Sequence, residues 1–404
     1  MPTISNRANL MPPSPIRKLV PFAEDAKKRG IHVYHINIGQ PDIRTPRVLL
    51  DAFREHELER IPYGHSAGLW EYRDELVKYY SRFNINITSD EILVTNGGSE
   101  AIIFAMMATL DPGDEIIIPE PFYTNYNGFA VEAGVKILPV TSKIEEGFKL
   151  PPISEIESKI SSKTRAIMIC NPNNPTGYIY LPEEMEALRR LVIKHNLFFF
   201  SDEVYREFIY DGAIYTSLLH LKGIDDRAVL LDSISKRYSA CGARIGCLIT
   251  RNKQILDVGL RLGQARLCPP TMEQLAAMAA VNTPQSYFNE VINDYKKRRD
   301  VVFEELGKIP GVVALKPQGA FYTIVELPID NADRFSEWLL KDFQLNKETI
   351  MLAPANGFYA TPGKGSKEVR IAFVLNVDDM RKSMQILREG LKVYQEINLS
   401  NKNH

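Results

Sequence analysis

Net charge is almost absent from this chain: 49 Lys and Arg stand against 50 Asp and Glu, leaving -1 at neutral pH. Such a balance offers no electrostatic hold on nucleic acid or on an anionic membrane. No apolar run is long enough to span a bilayer, and Met1 to Leu19 contains no apolar core of signal-peptide length. The four cysteines, Cys170, Cys241, Cys247 and Cys268, form no CxxC pair and no zinc-like spacing, as expected of reduced thiols in a cytoplasmic protein. The histidines include no HExxH, because His56-Glu57 is followed by Leu58-Glu59-Arg60, so no metal site is expected. A GxxxxGK[ST] loop, internal repeats and low-complexity segments are also lacking. What remains is a composition of 45% apolar and 25% charged residues, that of a globular protein, over 404 residues, a length that predicts two domains. The one basic cluster, Lys296-Lys297-Arg298-Arg299, reads as the solvated face of a helix.

Residues 1–15 are polar with four prolines and read as an extended arm. Pro15 and the spacing Ile16, Leu19, Val20, Ala23 predict a short amphipathic helix reaching about Arg29. Seven strands are predicted over Glu91–Thr95, Glu115–Pro119, Lys136–Val140, Arg165–Cys170, Leu197–Ser201, Ala228–Asp232 and Ile245–Thr250. Helices are predicted over Trp70–Arg82, Ser99–Leu110, Pro182–His195 and Pro284–Leu306. This alternation is the pattern of an α/β fold with a mainly parallel, doubly covered sheet. Beyond Gly311 the pattern changes to that of a smaller α+β domain, with strands over Ala320–Glu326 and Glu368–Leu375 and helices over Ala332–Phe343 and Val377–Glu396. The expected division is an arm (1–15), a large domain (46–295), and a small domain made of 16–45 with 296–404.

Chemistry-bearing residues sit just after the predicted strands, at the sheet end where open parallel sheets gather ligands. Lys236 lies past Ala228-Val229-Leu230-Leu231, and Arg244 follows eight positions later in a glycine-flanked turn. A lysine that condenses with an aldehyde cofactor must sit where it can lose its proton, and a nearby arginine can hold the cofactor's phosphate. Asp202 ends the run Leu197-Phe198-Phe199-Phe200-Ser201, where a carboxylate is expensive unless a cation pairs with it. Gly97-Gly98-Ser99 opens a helix whose first N–H groups can receive an anion, though alone it reads as an ordinary strand-to-helix turn. Asn171-Pro172-Asn173-Asn174-Pro175-Thr176-Gly177 has two Asn-Pro pairs, the mark of a rigid turn that accommodates cis peptide bonds. Tyr123, after Pro119-Glu120-Pro121-Phe122, serves equally as a core aromatic or as a ring that stacks on a cofactor.

Asn-Pro-Thr-Gly, then Asp202-x-x-Tyr205, then Ser233-x-x-Lys236 with Arg244 beyond, closely resembles the signature of the aspartate aminotransferase family. These are class I/II aminotransferases of the fold type I enzymes dependent on pyridoxal 5'-phosphate (PLP). The resemblance runs from about residue 16 to 376 and implies the PLP transferase fold. It further implies that Lys236 binds the cofactor and moves the proton. Asp202 would face the ring nitrogen, Asn174 and Tyr205 the 3-oxygen, and Tyr123 would stack on the ring. Gly98, Ser99, Ser233 and Arg244 would surround the phosphate. Tyr63, in Tyr63-Gly64-His65-Ser66-Ala67-Gly68-Leu69 followed by Arg73, resembles the family's tyrosine that crosses to the neighbouring subunit's phosphate, so a homodimer is implied. Arg370 resembles the arginine that clamps the substrate α-carboxylate. Gly39, in Asn37-Ile38-Gly39-Gln40-Pro41-Asp42, resembles the loop that closes over substrate.

The implied activity is transfer of an amino group from an L-amino acid, aspartate by preference, to a 2-oxo acid such as 2-oxoglutarate, with ping-pong kinetics. Aromatic or broad specificity, and a C–S lyase reaction on the same fold, are the alternatives. The arginine that classical aspartate enzymes borrow from the neighbouring subunit is not matched: alignment on Pro269-Pro270 puts Gly263 at its place, between Arg261 and Arg266.

Overall fold

All seven strands predicted for the larger part of the chain enter one sheet: β1 (Ile92–Thr95), β2 (Glu115–Glu120), β3 (Lys136–Thr141), β4 (Thr164–Cys170), β5 (Phe198–Asp202), β6 (Ala228–Ser233) and β7 (Gly246–Ile249). Their order across the sheet is β1-β7-β6-β5-β4-β2-β3. Pairing is parallel except for β7, which runs against both β1 and β6. β2 and β6 are buried along their whole length, which is why they read as continuous rather than alternating apolar runs. Helix Gly97–Thr109 lies on one face of the sheet, packing Ala101, Ile102 and Ala105 there. Helices Trp70–Ser81 and Pro182–Lys194 cover the other with Leu76, Tyr80, Leu188 and Val192. The computed structural model describes residues 2–55 and 59–402; His56-Glu57 lies outside the described residues.

A second, antiparallel sheet comprises β8 (Val313–Ala314), β9 (Tyr322–Glu326), β10 (Ala353–Pro354) and β11 (Glu368–Ala372), in the order β10-β11-β9-β8. A two-stranded parallel pair joins His32–His35 to Glu348–Met351. Helix Gln285–Leu306 links the two cores: Phe288 belongs to the core of the seven-stranded sheet, whereas Val291, Tyr295, Val302 and Leu306 belong to the other.

Three expectations change. Asn6–Leu10 is a short helix capped by Ser5, whose hydroxyl accepts from the Ala8 N–H, so the arm is not wholly extended. The next helix spans Val20–Lys28, with Pro21 rather than Pro15 in its first turn, and Ser14 to Leu19 form turns instead. Half of the basic cluster is not a solvated face: Lys297 is exposed and Lys296 partly so, but Arg298 is 5% exposed and Arg299 0%. On a helix two neighbours can both turn inward when each finds polar partners. Arg298 meets Asp42, Asp294 and the Val374 carbonyl, and Arg299 meets Asp211, Asp300 and the Pro317 carbonyl.

Candidate active site

Register brings the site together. In parallel β4, β5 and β6, Cys170 stands beside Asp202 and Asp202 beside Leu231. The loops that follow, carrying Asn174, Tyr205 and Lys236, therefore leave the same sheet end. They open into a cavity of about 540 Å³. Gly98, Ser99, Ser233 and Arg244 line one part of it. Tyr123, Asn174, Asp202 and Tyr205 line another, with Lys236, Gly39 and Arg370 completing the wall. Tyr63 is the exception: it lies outside this cavity and is 79% exposed. Arg73 lies elsewhere too, buried, donating to the Ser89 carbonyl and standing over the Trp70 ring.

At the anion end, the helix Gly97–Thr109 begins with no side-chain cap, which leaves its first N–H groups available. Arg244 sits in the left-handed region (φ 55°) and reaches over Gly97, donating towards the Cys241 and Asn96 carbonyls. Gly97 has φ 74°, and a Cβ there would stand 2.4 Å from Arg244 Nη2. Only glycine lets the guanidinium come so close. Ser233 Oγ lies 2.7 Å from Ser235 Oγ.

At the far end Asp202 is buried. Its carboxylate accepts from the Tyr126 hydroxyl (2.8 Å) and the Val204 N–H (3.4 Å). Burial pushes its pKa up to about 6, against the pull of those two bonds. Among the described residues no cation is bonded to it.

Between these ends Lys236 Nζ donates to the Gly39 carbonyl at 2.8 Å and stands 3.7 Å from Cys241 Sγ. Burial lowers the lysine's pKa below its ordinary value; Cys241 opposes the shift and Arg370 adds to it. Arg370, 2% exposed on β11, is sandwiched between the Tyr322 and Phe358 rings. It donates to Asn174 Oδ1 (3.1 Å) and to the Asn37 carbonyl, while its Nε has no partner. Tyr205 bonds the Tyr322 hydroxyl at 3.0 Å and accepts from Asn174 Nδ2 at 3.4 Å. Tyr123 is half-buried, edge-on to Tyr126.

The sequence reading missed several neighbours. Tyr126 stands in the first turn of helix Asn125–Ala133 and its N–H donates to the carbonyl of Tyr123, three positions earlier, a spacing that was a usable signal. Tyr322 carried none, since nothing local marks it off from other strand aromatics. A buried ionic cluster beneath the site was also missed. Asp232 pairs with Arg206 (3.2 Å) and Arg237 (2.7 Å), Glu203 pairs with Arg206, and Asp232 Oδ1 accepts from the Ser233 N–H. Burial alone raises the Asp232 pKa, but Arg237 and Arg206 hold it below the ordinary value. The cluster pins the turn that presents Ser233 and Lys236. Arg261 and Arg266 do not line the cavity: they pair with Asp257 and Glu100 of their own chain.

These contents fit a group with a phosphate at one end, a cationic ring nitrogen at the other and an aldehyde between. An uncapped helix start with an arginine, a carboxylate without a cation, and a lysine of lowered pKa face one another across a single cavity.

The comparisons agree. Residues 31–387 match the family described as aminotransferase class I and II. The aspartate aminotransferase of Thermotoga maritima is 32% identical over 390 residues, covering 96% of this chain and 99% of that protein. The crystal structure of the Thermotoga maritima aspartate aminotransferase superposes with a TM-score of 0.88 at 31% identity, over 96% of this chain and 100% of that one. An alanine aminotransferase from Pyrococcus furiosus does so with the same score, identity and coverage. Signature, cavity and relatives converge: the chain belongs to the class I and II aminotransferase family.

Proposed function

We propose that this chain is a PLP-dependent aminotransferase that takes the amino group from an L-amino acid, aspartate in the first instance, and passes it to a 2-oxo acid such as 2-oxoglutarate. One observation carries the reading: Lys236, with its pKa lowered, stands in the same cavity as Asp202, Arg244 and Arg370. PLP, the cofactor of this family, supplies an aldehyde carbon that carries the amino group and a ring that withdraws electrons from the substrate Cα.

The chain's own residues do the rest. Arg244, Ser233 and the Gly98 and Ser99 amides bind the phosphate. Asp202 keeps a proton on the ring nitrogen, and Asn174 and Tyr205 hold the 3-oxygen. Tyr123 stacks on the ring. Arg370 takes the substrate α-carboxylate with its planar fork. The Lys236 amine removes the Cα proton and gives it back, acting as base and then acid. The Gly39 loop closes over the substrate. Tyr63 of each subunit reaches the phosphate of its neighbour in a homodimer.

An alanine or aromatic donor is the second reading, favoured by the engagement of Arg261 and Arg266 with Asp257 and Glu100. The test is the visible absorbance of the cofactor-loaded protein. Aspartate is expected to abolish the band and 2-oxoglutarate to restore it. Bleaching by alanine or phenylalanine but not aspartate keeps the mechanism and discards the donor. Failure to take up PLP removes the Lys236 assignment altogether.

A further inference from the structure

Five charged side chains line the cavity: Arg17, Lys236, Arg244 and Arg370 against the single carboxylate of Asp202. On the proposed function, Lys236 works as a neutral amine, Arg244 meets a phosphate and Arg370 an α-carboxylate. Arg17 has no task. It is also the one of the four whose side chain makes no hydrogen bond or ion pair among the described residues. Its place is nonetheless held. The Arg17 N–H donates to the Ser14 carbonyl (3.2 Å), and the Val20 N–H donates to the Arg17 carbonyl (3.0 Å). Asn37 Nδ2 donates to the Ile16 carbonyl (3.3 Å), and the Asn37 carbonyl in turn accepts from Arg370. Ile16 packs on the cluster containing Phe358, the ring beneath Arg370. The turn that carries Arg17 is thus built onto the same support as Arg370. Three guanidiniums act on one hydroxyl, that of Tyr123: Arg370 most, then Arg244, then Arg17. The same cavity wall also carries the polar side chains of Ser14, Gln40 and Asn125.

We propose that Arg17 is the specificity residue of this enzyme, binding the distal carboxylate of a dicarboxylic amino acid or 2-oxo acid whose α-carboxylate is on Arg370. A free guanidinium at the wall of a cavity matches a carboxylate in charge and in fork geometry, and a neutral side chain leaves it without a partner. The inference rests on the aminotransferase reading and assigns its substrate class; it replaces the arginine expected near Pro269-Pro270 with one from the N-terminal turn.

The test uses the cofactor-loaded full chain with succinate and butyrate, an unreactive dicarboxylate and its monocarboxylate counterpart, titrated by calorimetry. The wild type is expected to prefer succinate, and Arg17→Met to lower the succinate-to-butyrate affinity ratio by about 10- to 100-fold, the range of a charge-assisted pair. Arg17→Lys recovers part of the ratio. The ratio of kcat/KM for aspartate to that for alanine falls in parallel. A succinate preference that Arg17→Met leaves intact, or a wild type that does not distinguish the two acids, overturns the assignment while the aminotransferase reading stands. If neither amino acid changes the cofactor's absorbance, the aminotransferase reading fails and this one with it.

Discussion

Asp202 ends the apolar strand Phe198-Phe199-Phe200-Ser201 with a buried carboxylate whose only bonds among the described residues come from Tyr126 and Val204. Unfolded, it titrates at about 4; folded and without cofactor, at about 6. The folded state therefore binds more protons over this interval. The group's contribution is fully present below the unfolded value and is lost as pH rises through the folded one. Cofactor-free Asp202→Asn should thus melt above the cofactor-free wild type at pH 8, by something on the order of 2 kcal/mol in stability, and the gap should close at pH 4. Thermal melts of both proteins at the two pH values check this. An identical gap at both would show that the carboxylate is not titrating as placed. The same residue was legible in the sequence, because a charge at the end of so apolar a run breaks the pattern. Tyr322 and Arg17 were not, because an aromatic in a strand and an arginine on a predicted amphipathic helix break nothing; their meaning comes from what they face.

At the scale of elements, the phosphate end depends on how closely β7 approaches the start of helix Gly97–Thr109. Gly246 opens β7, and a Cβ on it would lie 2.4 Å from the Gly97 carbonyl carbon and 2.6 Å from the Gly98 nitrogen. Those atoms are backbone and cannot swing aside. Gly246→Ala should therefore cost about 3 kcal/mol, at the upper end for overpacking, and should weaken PLP binding further than that loss explains. Urea unfolding of the cofactor-free protein and a PLP titration measure the two effects separately; unchanged values for both would show that the turn relaxes freely. The strand and the glycine turn were both visible in the sequence. The inward turn of Arg298 and Arg299 was not, since a run of four bases has the same helical period whichever face it presents. Their direction is set by Asp42, Asp211 and the Val374 and Pro317 carbonyls, all contributed by distant segments.

For the molecule as a whole, the cavity takes residues from both sheets: Lys236 and Asp202 follow or end strands of the large one, and Arg370 and Tyr322 stand on the small one. We propose a division into 46–295 and 16–45 with 296–404; helix Gln285–Leu306 crosses it, and Tyr205 and Phe208 of the larger segment pack into the core of the smaller sheet. Tyr63, 79% exposed and outside its own cavity, is the residue assigned to the neighbouring subunit. This assignment predicts complementation. Tyr63→Ala and Lys236→Ala homodimers should both be impaired. Mixed and allowed to exchange subunits, they form hybrids with one cavity that has Lys236 and receives a native Tyr63. Activity is expected to rise on mixing, as read in a coupled assay; a flat result would place Tyr63 outside the neighbouring site.

By itself the sequence determined the strand and helix pattern of the large sheet and the turn chemistry at the ends of its strands. Both are local: backbone geometry sets the periods, and glycine, proline and a stranded charge mark the turns. Only the tertiary structure decided which residues meet. Lys236 reaches the Gly39 carbonyl across 197 positions of chain, and Arg370 reaches Asn174 across 196. Such contacts depend on how two sheets and an N-terminal turn pack around one cavity, and no periodicity records them. The place of Arg17 on that wall is the clearest instance, because its backbone is held by Ser14 and Val20 while its neighbours in space are Tyr123 and the support of Arg370.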